Sequence, residues 1–159
     1  MHRHIREADN IRAALDWAFG DAGDAALGCS LAASAMDFWF ASSLLNDCCD
    51  WGSKAVEQIA DTMDAQEEMV LQTGLGLGRL FIGAFHTDTH AALMRALVLA
   101  RACGDLEYQQ RALYGLCVFL GRTLQFRVQL AFAQLYERIV QNVSDPTAQP
   151  TADLLIASA

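Results

Sequence analysis

The sequence predicts an all-α fold, and three observations carry that prediction. Proline occurs only at positions 146 and 150, so up to Asp145 no residue breaks a helix by lacking its backbone N–H. Alanine and leucine dominate and long β-branched runs are absent, which favours helices over strands. Apolar residues also recur at spacings of three and four through one segment after another, the mark of a buried helix face. At 159 residues, 53% of them hydrophobic, the chain suits one domain with a sizeable core.

The elements follow in order. The first helix is expected over 5–19 and contains the stretch E-A-D-N-I-R-A-A-L-D-W-A, Glu7 to Ala18. Ile11, Ala14, Leu15 and Ala18 share a stripe that Trp17 widens, while Arg12 is spaced to pair with Asp9 and Asp16 on the wet side. The turn 20–24 holds two glycines, and Asp24 can cap a second helix over 25–42. That helix is apolar almost all round, so cover on more than one side is expected. Asn46 or Asp47 can cap a third helix with Cys48, Trp51, Ala55, Ile59 and Met63 on one stripe. Asp64 can cap a fourth helix, 65–85. After a turn at 86–89 capped by Thr87 or Asp88, a fifth helix runs to Cys103 with Leu93, Ala96, Leu97 and Ala100 inward, and Gly104 ends it. Asp105 starts a sixth, with Leu106, Leu113, Leu116, Cys117 and Leu120. A seventh shows Val128, Phe132, Leu135, Ile139 and Val143. Past a linker at 144–150, Thr151 or Asp153 opens a short apolar segment, which suggests a fragment of a longer protein.

Helices joined by short turns pack as antiparallel pairs, here 25–63, 65–103 and 105–143, with 5–19 leading and 151–159 truncated. Ala55, Ala92 and Ala131 recur at intervals of 37 and 39 residues, within the period range of helical-hairpin arrays. The expected architecture is one right-handed α-solenoid domain, 1–159. Its repeat is tetratricopeptide-like but degenerate: only Leu77-Gly78 with Phe81, and Leu113-Tyr114-Gly115, keep pieces of that pattern.

Composition excludes several functions. A net charge of −8 repels phosphate backbones, so direct nucleic-acid binding is not expected; Arg122 and Arg127 around Phe126 are too few to reverse that. No stretch of about 18 uncharged apolar residues spans a membrane; residues 25–45 come nearest but include serines and Asp37. Five cysteines, an odd number, lie inside helical patterns behind a start, M-H-R-H-I-R-E, that is no secretory leader, so a reduced cytoplasmic setting is expected.

No constellation specifies catalysis, a cofactor or a metal. Gly74-Leu75-Gly76-Leu77-Gly78 lacks the preceding strand and the spacing of a dinucleotide fingerprint; Gly74 and Gly78 instead flatten a helix face for close packing. His86 and His90 flank Asp88, yet their spacing matches no zinc pattern. Adjacent Cys48 and Cys49 point to different sides of a helix and lack C-x-x-C spacing. The serines at 30, 34, 42 and 43 sit on apolar helix, and Glu67-Glu68 reads as a solvated helix start favoured by the dipole.

The opening E-A-D-N-I-R-A-A-L-D-W-A, its acid- and glycine-containing turn and L-A-A-S-A-M-D-F-W-F resemble the helical region of a bacterial family. That family comprises large predicted ATPases of the signal-transduction type, many of them winged-helix transcriptional regulators. The stretch G-D-L-E-Y-Q-Q-R-A-L-Y-G-L, Gly104 to Leu116, is similar to a second segment there. The resemblance implies a DNA-binding domain and a nucleotide-hydrolysing switch elsewhere in the protein. This chain has no phosphate loop, and its only lysine is Lys54, so the ATP-binding residues have no counterparts here.

The expected function is non-catalytic: a protein-interaction or effector-sensing domain of a cytoplasmic regulator. Phe81, Phe85, Tyr114 and Phe119 are candidate groove residues, and Asp9 and Asn10 are candidate contacts to a preceding domain. The alternative is a homodimerisation module using the apolar ends Ile5, Leu154, Leu155 and Ile156.

Overall fold

Eight helices make up the structure, a computed structural model that describes residues 2–58, 63–141 and 148–159. They are α1 (His2–Ala18), α2 (Ala25–Ala41), α3 (Leu45–Glu57), α4 (Ala65–Phe81), α5 (Thr87–Cys103), α6 (Leu106–Arg122), α7 (Phe126–Val140) and α8 (Ala148–Ala157). No strand occurs among the described residues. Ile59 and Val143, assigned above to apolar stripes, lie outside them.

Two of the expected caps form. Asp24 accepts from Leu27 N at 3.1 Å and Asp105 from Tyr108 N at 3.0 Å, each satisfying a backbone donor that the first turn cannot. Gly104 ends α5 in the left-handed region, φ 71. Elsewhere the caps differ. Neither Asn46 nor Asp47 caps α3, because the helix starts earlier, at Leu45. Asp47 then receives Arg12 in a fork: Nε donates to Oδ1 at 2.6 Å and Nη2 to Oδ2 at 2.7 Å. Arg12 therefore pairs with Asp9 at 2.9 Å and with Asp47, not with Asp16. His86 occupies the N-cap of α5, and the Thr89 hydroxyl closes the turn by donating to Ala84 O at 2.7 Å. Pro150 stands inside the first turn of α8, where its missing N–H costs nothing, so that helix starts before Thr151.

Among the described residues four turns share one hydrogen-bond pattern. Ser43, Gly83, Gly104 and Leu124 have φ of 57, 83, 71 and 59. In each case the next residue's N–H reaches back to the helix: Leu44 to Trp39 O, Ala84 to Arg79 O, Asp105 to Ala100 O and Gln125 to Leu120 O, at 2.8–2.9 Å. These are helix ends closed by a left-handed residue; Gly104 ends α5, and the three that end α2, α4 and α6 stand at offsets of 40 and 41 residues. The same stagger separates the starts of α2, α4 and α6 at 25, 65 and 106. The expected marker of the period does not hold: Ala55 falls in the last turn of α3 but Ala92 in the second turn of α5, and Ala131 is exposed. Leucine in the left-handed region places its Cβ against the following carbonyl, and Leu124 is 73% exposed. Leu124→Gly is therefore expected to raise stability by about 0.5–1 kcal/mol; a urea midpoint equal to or below wild type would contradict this.

Each helix packs on the next, and the even-numbered helices also pack in series, α2 on α4, α4 on α6 and α6 on α8. Helix α4 is the hub, touching α2, α3, α5 and α6, and every residue from Leu71 to Gly78 is buried. Its glycines permit this. A Cβ on Gly74 would meet Met36 of α2, one on Gly76 would meet Leu93 of α5, and one on Gly78 would meet Cys48 and Cys49 of α3. The flattening expected for Gly74 and Gly78 thus serves different neighbours. Both thiols of the Cys48-Cys49 pair also lie beside Gly78, at 3.2 and 3.1 Å from that Cβ position, rather than on opposite sides of α3.

Several inward assignments change. Trp17 is 59% exposed and Ala14 is exposed, because α1 buries Ala8, Leu15 and Ala18 instead. Leu27 and Leu106 are also exposed, each in the first turn of its helix beyond the packed part. On α7 the buried side is Gln129, Ala133, Tyr136, Ile139 and Val140, leaving Val128 exposed and Phe132 and Leu135 half-buried. Gln129 is drawn in because Gly121 offers no side chain, its Cβ position lying 3.0 Å from Gln129 Oε1. The Gln129 Nε2 then donates to Ser158 Oγ at 3.0 Å, while its Oε1 is buried without a hydrogen-bond partner, so the desolvation is only partly offset.

Candidate binding groove

The side chains of Asp37 on α2 and Arg111 on α6 meet at 3.1 Å although α4 lies between their helices. The long Arg111 side chain thus spans the face of α4 that lies between the two helices. Around the bridge is a hollow of about 380 Å³ lined by Ala33, Ser34 and Asp37 of α2, Asp64, Gln66, Glu67 and Val70 at the start of α4, and Tyr108 of α6. Asp64 holds the N-cap position without a side-chain bond to the helix, which leaves its carboxylate to line the hollow. Arg111 stacks over the Tyr108 ring at 4.9 Å and also lies 3.8 Å from Glu107. The Tyr108 hydroxyl is held above its ordinary pKa, first by burial and then, against the lowering effect of Arg111, by the negative field of Asp37, Glu107 and Asp105.

Ser34 also borders a second hollow of about 350 Å³ between α1 and α2. Its floor is apolar, with Ile11, Leu31, Ala35 and Phe38, and Glu7 and Asn10 form the rim. The two hollows are separate but adjoin at the exposed Ser34, which borders both, and together they make up a trough with lining from α1, α2, α4 and α6. Its setting is acidic. Residues 1–81 hold thirteen carboxylates and five basic side chains, whereas 82–159 hold six of each, so the whole net charge lies in the half that supplies most of the trough.

The sequence-selected aromatics line neither hollow; Phe85, Tyr114 and Phe119 pack in one cluster with Phe40, which Phe81 meets. Phe81 is 53% exposed and meets Phe40 edge-on at 6.3 Å, at the C-terminal ends of α4 and α2. Phe85 packs on Phe119 at 6.4 Å under the Arg122 guanidinium, but Phe119 is buried, and Tyr114 is half-buried on α6. Asp9 is exposed on α1 and engaged by Arg12, while Asn10 lines the trough. His90 rests on Phe119 at 5.4 Å, and among the described residues no three His, Cys, Asp or Glu side chains gather as metal ligands. Of the residues that build this hollow and its bridge, Glu67 reads from sequence as a solvated helix start, and Asp37, Tyr108 and Arg111 carry no expected binding role. The available signal was Glu107-Tyr108 followed by Arg111, at the spacings that place a cation beside both on one helix face.

Four of the five thiols, Cys29, Cys48, Cys49 and Cys117, are buried, and Cys103 is exposed. Burial pushes Cys48 and Cys117 up to about 12 from the ordinary 9.0. Above pH 9 the unfolded chain gives up thiol protons that the folded chain keeps, so the unfolded state binds fewer protons and stability falls as pH rises from 9 towards 12. Below pH 9 these thiols add no pH dependence. Cys48→Ala with Cys117→Ala is expected to shallow the fall in urea midpoint between pH 8.5 and 10.5; an unchanged slope would contradict it.

Comparison of the chain with models of protein families, curated sequences and solved structures found no match. The fold defines an all-α chain, and among the described residues no helix is long and apolar enough to cross a membrane.

Proposed function

We propose that the chain is a non-catalytic helical-repeat interaction domain, a right-handed tetratricopeptide-like α-solenoid whose even-numbered helices offer a groove to a protein partner or effector. The observation that supports this reading is the Asp37–Arg111 bridge across α4, which links the faces of α2 and α6. The serial packing of α2, α4, α6 and α8 and the repeated left-handed turns support it. On the resemblance of the Glu7–Ala18 and Gly104–Leu116 stretches, the domain belongs to a cytoplasmic ATPase-type transcriptional regulator and biases its switch through the different affinities of two states for the bound partner. Deleting the segment from such a regulator is expected to abolish partner-dependent changes in ATP turnover and DNA binding. A regulator that kept them would overturn the proposal.

A second reading, self-association, loses part of its expected apolar end, since Leu155 is buried and Ile156 half-buried. It is favoured by the exposed apolar side chains Leu124, Phe126, Val128 and Leu130 at the α6–α7 end, with Leu154 on α8. Light scattering separates it: a clean monomer at tens of micromolar removes it.

A further inference from the structure

We infer that the trough takes a basic peptide segment of a protein partner, one in which Lys or Arg side chains flank an apolar residue; this rests on reading the shared face of α2, α4 and α6 as the binding groove. The face shows how it satisfies a cation. Arg111 lies over the Tyr108 ring at 4.9 Å, 3.1 Å from Asp37 and 3.8 Å from Glu107, combining cation–π and charge-assisted contacts. On the α4 side of the same hollow, the side chains of Asp64 and Glu67 make no ion pair or hydrogen bond among the described residues. An incoming guanidinium or ammonium group supplies the missing charge. The adjoining hollow, with Phe38 and Leu31 in its floor, seats the apolar side chain.

Charge selects among the occupants. The trough lies in the half of the chain that carries all of the net charge of −8, so it repels the same surface of a second copy, acidic peptides and phosphorylated segments. A basic segment is steered in at long range, and its association weakens with salt.

The test uses the whole chain and two fluorescent peptides of alternating arginine and leucine or alternating glutamate and leucine, read by anisotropy. The arginine peptide is expected to bind, with affinity falling about tenfold or more from 50 to 300 mM salt. Asp64→Lys with Glu67→Lys is expected to weaken it at least tenfold. Asp21→Lys with Asp50→Lys makes the same change in net charge away from the trough and is expected to have less than a threefold effect; far-ultraviolet circular dichroism confirms that both variants fold. Equal weakening by the two pairs would replace the groove with diffuse attraction and overturn the inference. If the glutamate peptide binds instead and Ser34→Trp blocks it, the groove reading survives and the basic-partner inference fails. If neither peptide binds, the basic-partner inference fails.

Discussion

Trp39→Ala is expected to destabilise the chain by about 3–5 kcal/mol, the cost of emptying a large aromatic site that the surroundings only partly refill. Trp39 is fully buried in α2, in the cluster formed by Leu15 of α1, Met36 of α2, Cys48, Trp51 and Ala55 of α3 and Leu71 of α4. Its ring meets Phe38 edge-on at 5.2 Å, and the Arg12 guanidinium lies 5.9 Å from its centroid. The loss therefore reaches four helices and also removes a surface against which the Arg12–Asp47 fork is set. Against a typical total stability of about 5–15 kcal/mol, the variant is expected to unfold at a far lower urea concentration. Trp39→Phe provides the contrast. The indole N–H is buried without a hydrogen-bond partner, a defect worth about 1–3 kcal/mol. Phenylalanine removes it while keeping most of the ring, so the two terms nearly cancel. A urea series in which Trp39→Phe fell as far as Trp39→Ala would show that the indole nitrogen has a partner in solution.

The fold class was legible because the signals for it are local. Asp24 and Asp105 each precede an apolar run by the spacing that lets a carboxylate reach the third backbone N–H, and both do so. Gly104 ended its helix for the same kind of reason, since a left-handed residue is cheapest as glycine. The period was harder to read. The residues that hold the turn at the ends of α2, α4 and α6 are Ser43, Gly83 and Leu124, which share a backbone conformation and nothing in side chain, so packing rather than propensity fixes them. The rotation of α7 was illegible for a related reason. Its most apolar stripe contains Val128, but the buried stripe contains Gln129, because an absent side chain at Gly121 and a hydroxyl at Ser158 make room and a partner for the amide. The trough is a product of tertiary packing alone. Asp37 and Arg111 stand 74 residues apart, and nothing local to either helix pairs them.

Leu93 provides the second large expected effect, because two glycines hold it. Leu93→Ala is expected to cost about 2–5 kcal/mol: the side chain is fully buried, and its Cδ2 lies 2.7 Å from the Cβ position of Gly76 on α4 and equally far from that of Gly115 on α6. The reverse change is costly too. In an exposed helix Gly→Ala gains about 1 kcal/mol, but at Gly76 the new methyl meets Leu93 Cγ at 2.7 Å and Leu93 N at 3.3 Å. A branch point and backbone cannot swing aside, so overpacking of about 1–3 kcal/mol is expected to outweigh the propensity gain. At Gly74 the obstacle is the Met36 thioether, whose flexible chain yields more easily, and Gly74→Ala is expected to cost less. The decisive measurement is the double variant. With Leu93 shortened, the methyl at position 76 enters vacated space, so Gly76→Ala with Leu93→Ala should be more stable than the sum of the single changes by about 1 kcal/mol or more. Strict additivity would mean that α4 and α5 do not meet at these residues, and with them would go the close hub packing that brings α2, α4 and α6 around the trough.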